Sequence, residues 1–201
     1  MAYNISPAHM SYPAHSPWAS SSSRRPSIST TVPPPYSSAQ SFYKSTRGAS
    51  EIIPGLYISD LSFAETPSSL TSYGITHVLS TLSSSVILPS AAALHPFPQP
   101  RHLHVRIEDL PFAELAAHLP TTTAWIRDAL RAQPNARVLV HCAEGVSRSV
   151  AVVAGFLVAQ YGWTPTEAVQ YIKSKRRVAD PNFGFVQQLG EYARSIGVAR
   201  S

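Results

Sequence analysis

From Glu51 onward, short apolar runs alternate with turn residues, and their spacing switches between the periods of strand and helix. Ile52 and Ile53, then Leu56, Tyr57 and Ile58, flank Pro54-Gly55 and read as two strands joined by a turn. Leu61, Ala64, Leu70 and Tyr73 suggest a helix interrupted near Pro67, with Gly74 as its stop before a strand over residues 76–79. Residues 83–100 form a loop rich in Ser, Ala and Pro. Leu103, Val105 and Ile107 alternate with His104 and Arg106, which predicts a strand that delivers Glu108 and Asp109 to a loop.

Leu115, Leu119, Trp125, Ile126 and Leu130 have helical spacing in two pieces broken at Pro120, and Gln133-Pro134-Asn135 ends them. Val138, Leu139 and Val140 are a continuous apolar run, the mark of a strand buried on both faces of a largely parallel sheet. Residues 149–161 are apolar all round and read as a central helix. Thr164-Pro165-Thr166-Glu167 has a capping-box pattern with Pro at the first helical position, and a last helix follows Asn182. Strands alternating with helices predict an α/β fold, with helices covering a central sheet.

Residues 1–50 differ in texture. Ser, Pro, Tyr and small residues dominate, Pro33, Pro34 and Pro35 stand in a row, and no apolar period is sustained. Such a segment buries too little surface to offset chain entropy, so a disordered tail is expected over 1–50 and one domain over 51–199. Arg24-Arg25-Pro26-Ser27 matches a basophilic kinase site, but a solvated leader with a chance basic pair is the preferred reading. The formal net charge is +5, and Arg24, Arg25, Lys44 and Arg47 supply +4 of it before the first acid, Glu51. Cations so thinly spread are a weak footprint for nucleic-acid binding, which is not expected.

Cys142 is the only cysteine, which excludes an intramolecular disulfide and a thiolate-rich zinc site within the chain. A reducing compartment, cytoplasmic or nuclear, is expected. The longest apolar run, residues 150–158, is far shorter than the roughly 20 residues a spanning helix needs. The first residues lack the apolar core of a secretory signal, and their scattered prolines oppose a mitochondrial amphipathic helix.

The chemistry is concentrated in residues 138–149, V-L-V-H-C-A-E-G-V-S-R-S: a buried strand, a tight loop containing Gly145, then a helix. Successive N–H groups of such a loop point inward, and the following helix adds its positive dipole end, so the loop is an anion cradle. Arg148 can grip two phosphate oxygens with its planar fork. Cys142 lies at the base of the loop, where the same dipoles and Arg148 stabilise a thiolate nucleophile. A lone cysteine is more often an inert buried hydrophobe; the strand-loop-helix context and Arg148 decide for the nucleophile.

His141, Cys142, Arg148 and Ser149 resemble the signature of the protein tyrosine phosphatase superfamily: His-Cys, five residues, Arg, then Ser or Thr. The likeness is stronger to the dual-specificity phosphatases. Residues 53–58, I-P-G-L-Y-I, resemble that family's opening strand and residues 74–79, G-I-T-H-V-L, its next one. Pro181-Asn182-Phe183-Gly184-Phe185 with Gln188-Leu189 resembles its last helix. The resemblance implies a small atypical dual-specificity phosphatase with a mostly parallel five-stranded sheet. It implies Cys142 as nucleophile, Asp109 as general acid and then base, and Ser149 as a hydroxyl that helps the thiol leave the phosphoenzyme. Phosphate is expected on Arg148 and the backbone of Ala143, Glu144, Gly145, Val146 and Ser147, with His141 supporting the loop. Glu108 is the rival acid. No cofactor or metal is required on this reading, and peroxide damage would be repaired by an external thiol or through a sulfenamide.

The family often has Gly at the position of Ser59, Asn at Ser80 and Pro at Arg177, and its connection at residues 83–100 is usually shorter. Inositol-lipid members tend to carry basic residues between the Cys and the Arg, where this chain has Ala143, Glu144 and Val146. An acid there repels a polyanionic headgroup. A phosphoprotein substrate is therefore expected, a MAP kinase being one candidate. A lipid, RNA or glycan phosphatase and a silent phosphate-binding module are the alternatives.

Overall fold

A computed structural model describes residues 48–198. Of the tail expected over 1–50, residues 1–47 lie outside the described residues. The first strand, β1 (Ser50–Ile53), turns at Gly55 (φ 79°) into β2 (Leu56–Ser59). Two short helices follow, α1 (Leu61–Glu65), capped by the Asp60 carboxylate, and α2 (Pro67–Ser72), with proline in its first turn. Next come β3 (His77–Thr81), α3 (Ala91–Leu94), β4 (Arg101–Val105), α4 (Leu115–Ala132) and β5 (Val138–His141). The order closes with α5 (Arg148–Tyr161), α6 (Pro165–Lys175) and α7 (Phe183–Ser195).

The five strands form one sheet in the order β1-β2-β5-β3-β4; only the β1/β2 pair is antiparallel. Alternation along the strands divides the sheet into two faces. Ile58, Leu79 and Val140 face the larger core, where α5 is buried from Ser149 to Val158 and α4 contributes Leu115, Leu119 and Ile126. Tyr57, Val78 and Leu139 face a smaller core closed by Phe63, Ala64, Leu70 and Leu94 from the short helices. β5, hydrogen-bonded on both edges and covered on both faces, is the central strand that its apolar run predicts.

Three expectations are corrected. Pro120 does not break the helix: α4 is continuous, because Pro120 is exposed and forfeits only its own amide, while Leu115, Leu119, Ile126 and Ala129 keep one buried stripe. β4 ends at Val105 because its partner β3 ends at Thr81, although Ile107 remains buried beyond it. The connection over residues 83–100 contains α3, started by the Ser90 hydroxyl accepting from the Ala93 amide at 3.3 Å.

Candidate active site

Residues 142–147 link the C-terminal end of β5 to the N-terminus of α5. Four successive carbonyls of this loop are held from outside. Ala143 accepts from the Leu61 amide at 3.0 Å, Glu144 from Arg176 Nη2 at 3.3 Å, Gly145 from Arg176 Nε at 2.8 Å and Val146 from the Asp180 amide at 2.8 Å. Because each peptide is planar, drawing its carbonyl outward turns its N–H toward the loop centre. The Gly145 amide donates to Cys142 Sγ at 3.2 Å, and Ser149 Oγ lies 3.3 Å from the same sulfur. Gly145 has φ 68°, and a Cβ there would stand 2.5 Å from the Ser59 carbonyl oxygen, so a side chain has neither conformation nor room.

The hydrophobic pattern did not single out Arg176, which lies in the basic run Lys173 to Arg177. It is only 2% exposed, and Nη1 also reaches the Gly48 carbonyl at 3.1 Å and Ser50 Oγ at 3.3 Å. Burial pushes its guanidinium below its ordinary value, against the opposing pull of Asp60 and Cys142. A signal existed: Ala168, Ile172 and Arg176 are spaced by four, so Arg176 continues the buried stripe of α6 past its end.

Arg148 opens α5 with its side chain 11% exposed. Nη1 donates to the Ile107 carbonyl at 3.4 Å, and Nε stands 3.5 Å from Asp109 Oδ2; this buried Nε makes no hydrogen bond among the described residues. Asp109 Oδ1 accepts from Ser147 Oγ at 2.6 Å and from Asn182 Nδ2 at 2.9 Å. The carboxylate is thereby fixed on the arginine side of the loop. Asn182 was expected only as the start of the last helix. It also caps that helix through the Phe185 amide at 3.0 Å, and its own amide donates to Ser147 Oγ at 3.1 Å. The segment after Asp109 rests on α7, where a Cβ on Gly184 would be 2.1 Å from the Pro111 carbonyl and Gln188 Nε2 donates to the Ala113 carbonyl at 2.9 Å.

His141, fully buried, sits behind the nucleophile position. Its Nδ1 is 3.3 Å from the Cys142 carbonyl and its Nε2 is 2.6 Å from Ser80 Oγ, while its own carbonyl accepts from Thr81 Oγ1 at 2.8 Å. Burial drives its pKa down to about 4, with His102 and His104 adding to the effect and the Cys142 carbonyl opposing it. The ring is neutral at physiological pH. Ser59 and Ser80, both departures from the family pattern, pair with His141 from the two neighbouring strands.

The structure thus brings Cys142, Arg148, Asp109, Ser149, Gly145, Ser147 and His141 together. Ala143 and Glu144 are exposed on the outside of the loop, and Val146 is half-buried. Glu108 is exposed and is hydrogen-bonded to none of these groups.

The dual specificity phosphatase catalytic-domain model matches residues 56–195. The chain belongs to the dual specificity phosphatase family. It is a phosphatase with the α/β architecture of that family. Mouse dual specificity protein phosphatase 13B is 33% identical over 83% of this chain and 88% of its own length. The crystal structure of human DUSP28 overlays with a TM-score of 0.64 at 29% identity, covering 84% of this chain and 99% of that one. A mouse putative dual specificity phosphatase complexed with zinc tungstate overlays with a TM-score of 0.64 at 29% identity, covering 86% and 94%. Among the described residues no helix of this phosphatase is long and apolar enough to cross a membrane.

Proposed function

We propose that this phosphatase hydrolyses phosphotyrosine and phosphoserine or phosphothreonine on proteins through a phosphocysteine on Cys142. One observation carries the reading: a buried sulfur at the centre of a loop whose carbonyls are engaged outside, with an N–H and a hydroxyl aimed at it. The Cys142 thiolate attacks phosphorus in line, the bond from phosphorus to the leaving oxygen breaks, and Asp109 gives that oxygen its proton. Arg148 and the loop amides hold the non-bridging oxygens; the buried Arg148 Nε gains there the hydrogen-bond acceptor it lacks among the described residues. Asp109 then takes a proton from water, which displaces sulfur from phosphorus, and Ser149 donates to the departing thiolate. The neighbour crystallised with zinc tungstate supports an oxyanion site, since tungstate is tetrahedral like phosphate.

Glu144, exposed on the loop, favours a phosphoprotein over an inositol lipid, RNA 5′ end or glycan phosphate by charge repulsion. A single cysteine required as a thiol favours a reducing compartment, cytoplasm or nucleus, which imaging of the tagged full chain would test. The function is tested by turnover of a phosphotyrosine peptide, a phosphothreonine peptide and inositol phospholipids, with Cys142→Ser as blank. Both peptides should be hydrolysed, with the blank at least about a thousandfold slower. Equal activity in the blank removes the mechanism, and turnover confined to the lipids moves the substrate.

A further inference from the structure

On the smaller-core face of the sheet, beyond the groups assigned a chemical role above, three side chains lie in line. His102 Nε2 on β4 is 2.8 Å from Ser80 Oγ on β3, and that oxygen is 2.6 Å from His141 Nε2 on β5. The proton positions follow from the acceptors. The Cys142 carbonyl only accepts, so the neutral His141 ring carries its proton on Nδ1 and its Nε2 lone pair must receive one. Ser80 has a single hydroxyl proton, which goes to His141. Its oxygen, fully buried, then needs a donor, and His102 Nε2–H is the group in reach. Four groups form a one-way chain, His102 to Ser80 to His141 to the Cys142 carbonyl.

Resting on the reading of Cys142 as nucleophile, we propose that His102 is a positioning residue: through Ser80 it fixes the His141 tautomer that holds the Cys142 peptide. An asparagine at position 80 would supply an N–H donor to His141 without drawing on a second residue, because its amide carries two protons and its own acceptor. Serine cannot, so in this chain the support is shared with the next strand. The other groups facing His102 are His104, stacked on it at 6.1 Å between ring centres and bound through Nε2 to the Leu82 carbonyl at 2.8 Å, and His141 itself. Protonated or neutral, His102 retains Nε2–H, so the direction of the chain survives its titration.

The test combines long-range ¹H–¹⁵N NMR of the imidazoles in the resting full chain with steady-state kinetics on a phosphotyrosine peptide. Wild type should show His141 protonated on Nδ1. In His102→Leu the Nε2–H form should appear, with kcat about threefold to tenfold lower, the worth of one neutral hydrogen bond, and KM within about twofold. His102→Gln, which keeps a donor, should restore kcat, and in a Ser80→Asn background His102→Leu should be silent. An unchanged His141 tautomer with unchanged kcat in His102→Leu overturns the proposal, as does an equal loss in the Ser80→Asn background. The tautomer is read without substrate, so it stands or falls apart from the outcome of Cys142→Ser.

Discussion

Two connections in this phosphatase are opposites in construction. The loop at 142–147 has its carbonyls bound by α1, by Arg176 and by the residues before α7, and its sulfur buried. The connection at 83–100 is largely exposed, with Ile87 82% and Phe97 50% accessible, and is pinned chiefly by Leu94 in the smaller core. A short loop that must present amides to an anion is held at nearly every peptide, whereas a long one without that duty is held at a few scattered points. The contrast predicts where change is felt.

The largest effect belongs to the acid clamped beside the loop. Asp109→Asn should lower kcat on a phosphotyrosine peptide by about a thousandfold with folding intact, because the amide cannot deliver a proton. A fall below about tenfold would transfer the acid role elsewhere. Next is the clamp itself: Arg176→Met should cost about 3 kcal/mol in urea unfolding and lower kcat, since the buried carbonyl of Gly145 and the part-buried ones of Gly48 and Glu144 lose their donor. A stable, fully active variant would show that the loop holds its own shape.

Acid tests the same side of the comparison. His141 has a pKa of about 4 when folded against 6.5 in the unfolded chain, so the unfolded chain binds more protons between those values. Stability should be full above pH 6.5 and fall by about 3 kcal/mol toward pH 4, and His141→Gln should flatten that slope. His77 and His102, also lowered by burial, act in the same direction. The smallest effects lie in the long connection. Leu94→Ala should cost about 2 kcal/mol, and Ile87→Ser should stay within about 0.5 kcal/mol of wild type. A large loss in Ile87→Ser would mean that this segment is better anchored than its exposure indicates.

Most of the fold was legible because its signals are local. The turn at Pro54-Gly55, the stop at Gly74, the capping box at Thr164 and the run of residues 138–140 each carry their own physics. Pro120 misled because a proline reads as a break unless its exposure and the buried stripe through it are both known. That Cys142, Arg148 and Asp109 would meet around one loop was legible from motif and register. Arg176, Asn182 and His102 were not, because what they do depends on which distant backbone they meet. Arg176 touches loop carbonyls 31 and 32 residues away, and nothing in a run of cations marks the one that turns inward except a helical spacing of four.

That Cys142 is the chain's sole thiol has a practical consequence. An alkylating reagent has one sulfur to find, so the mass of a single adduct counts reacted molecules one by one. The fraction labelled should equal the fraction of turnover lost, and competition by inorganic phosphate would report occupancy of the cradle without any substrate being consumed.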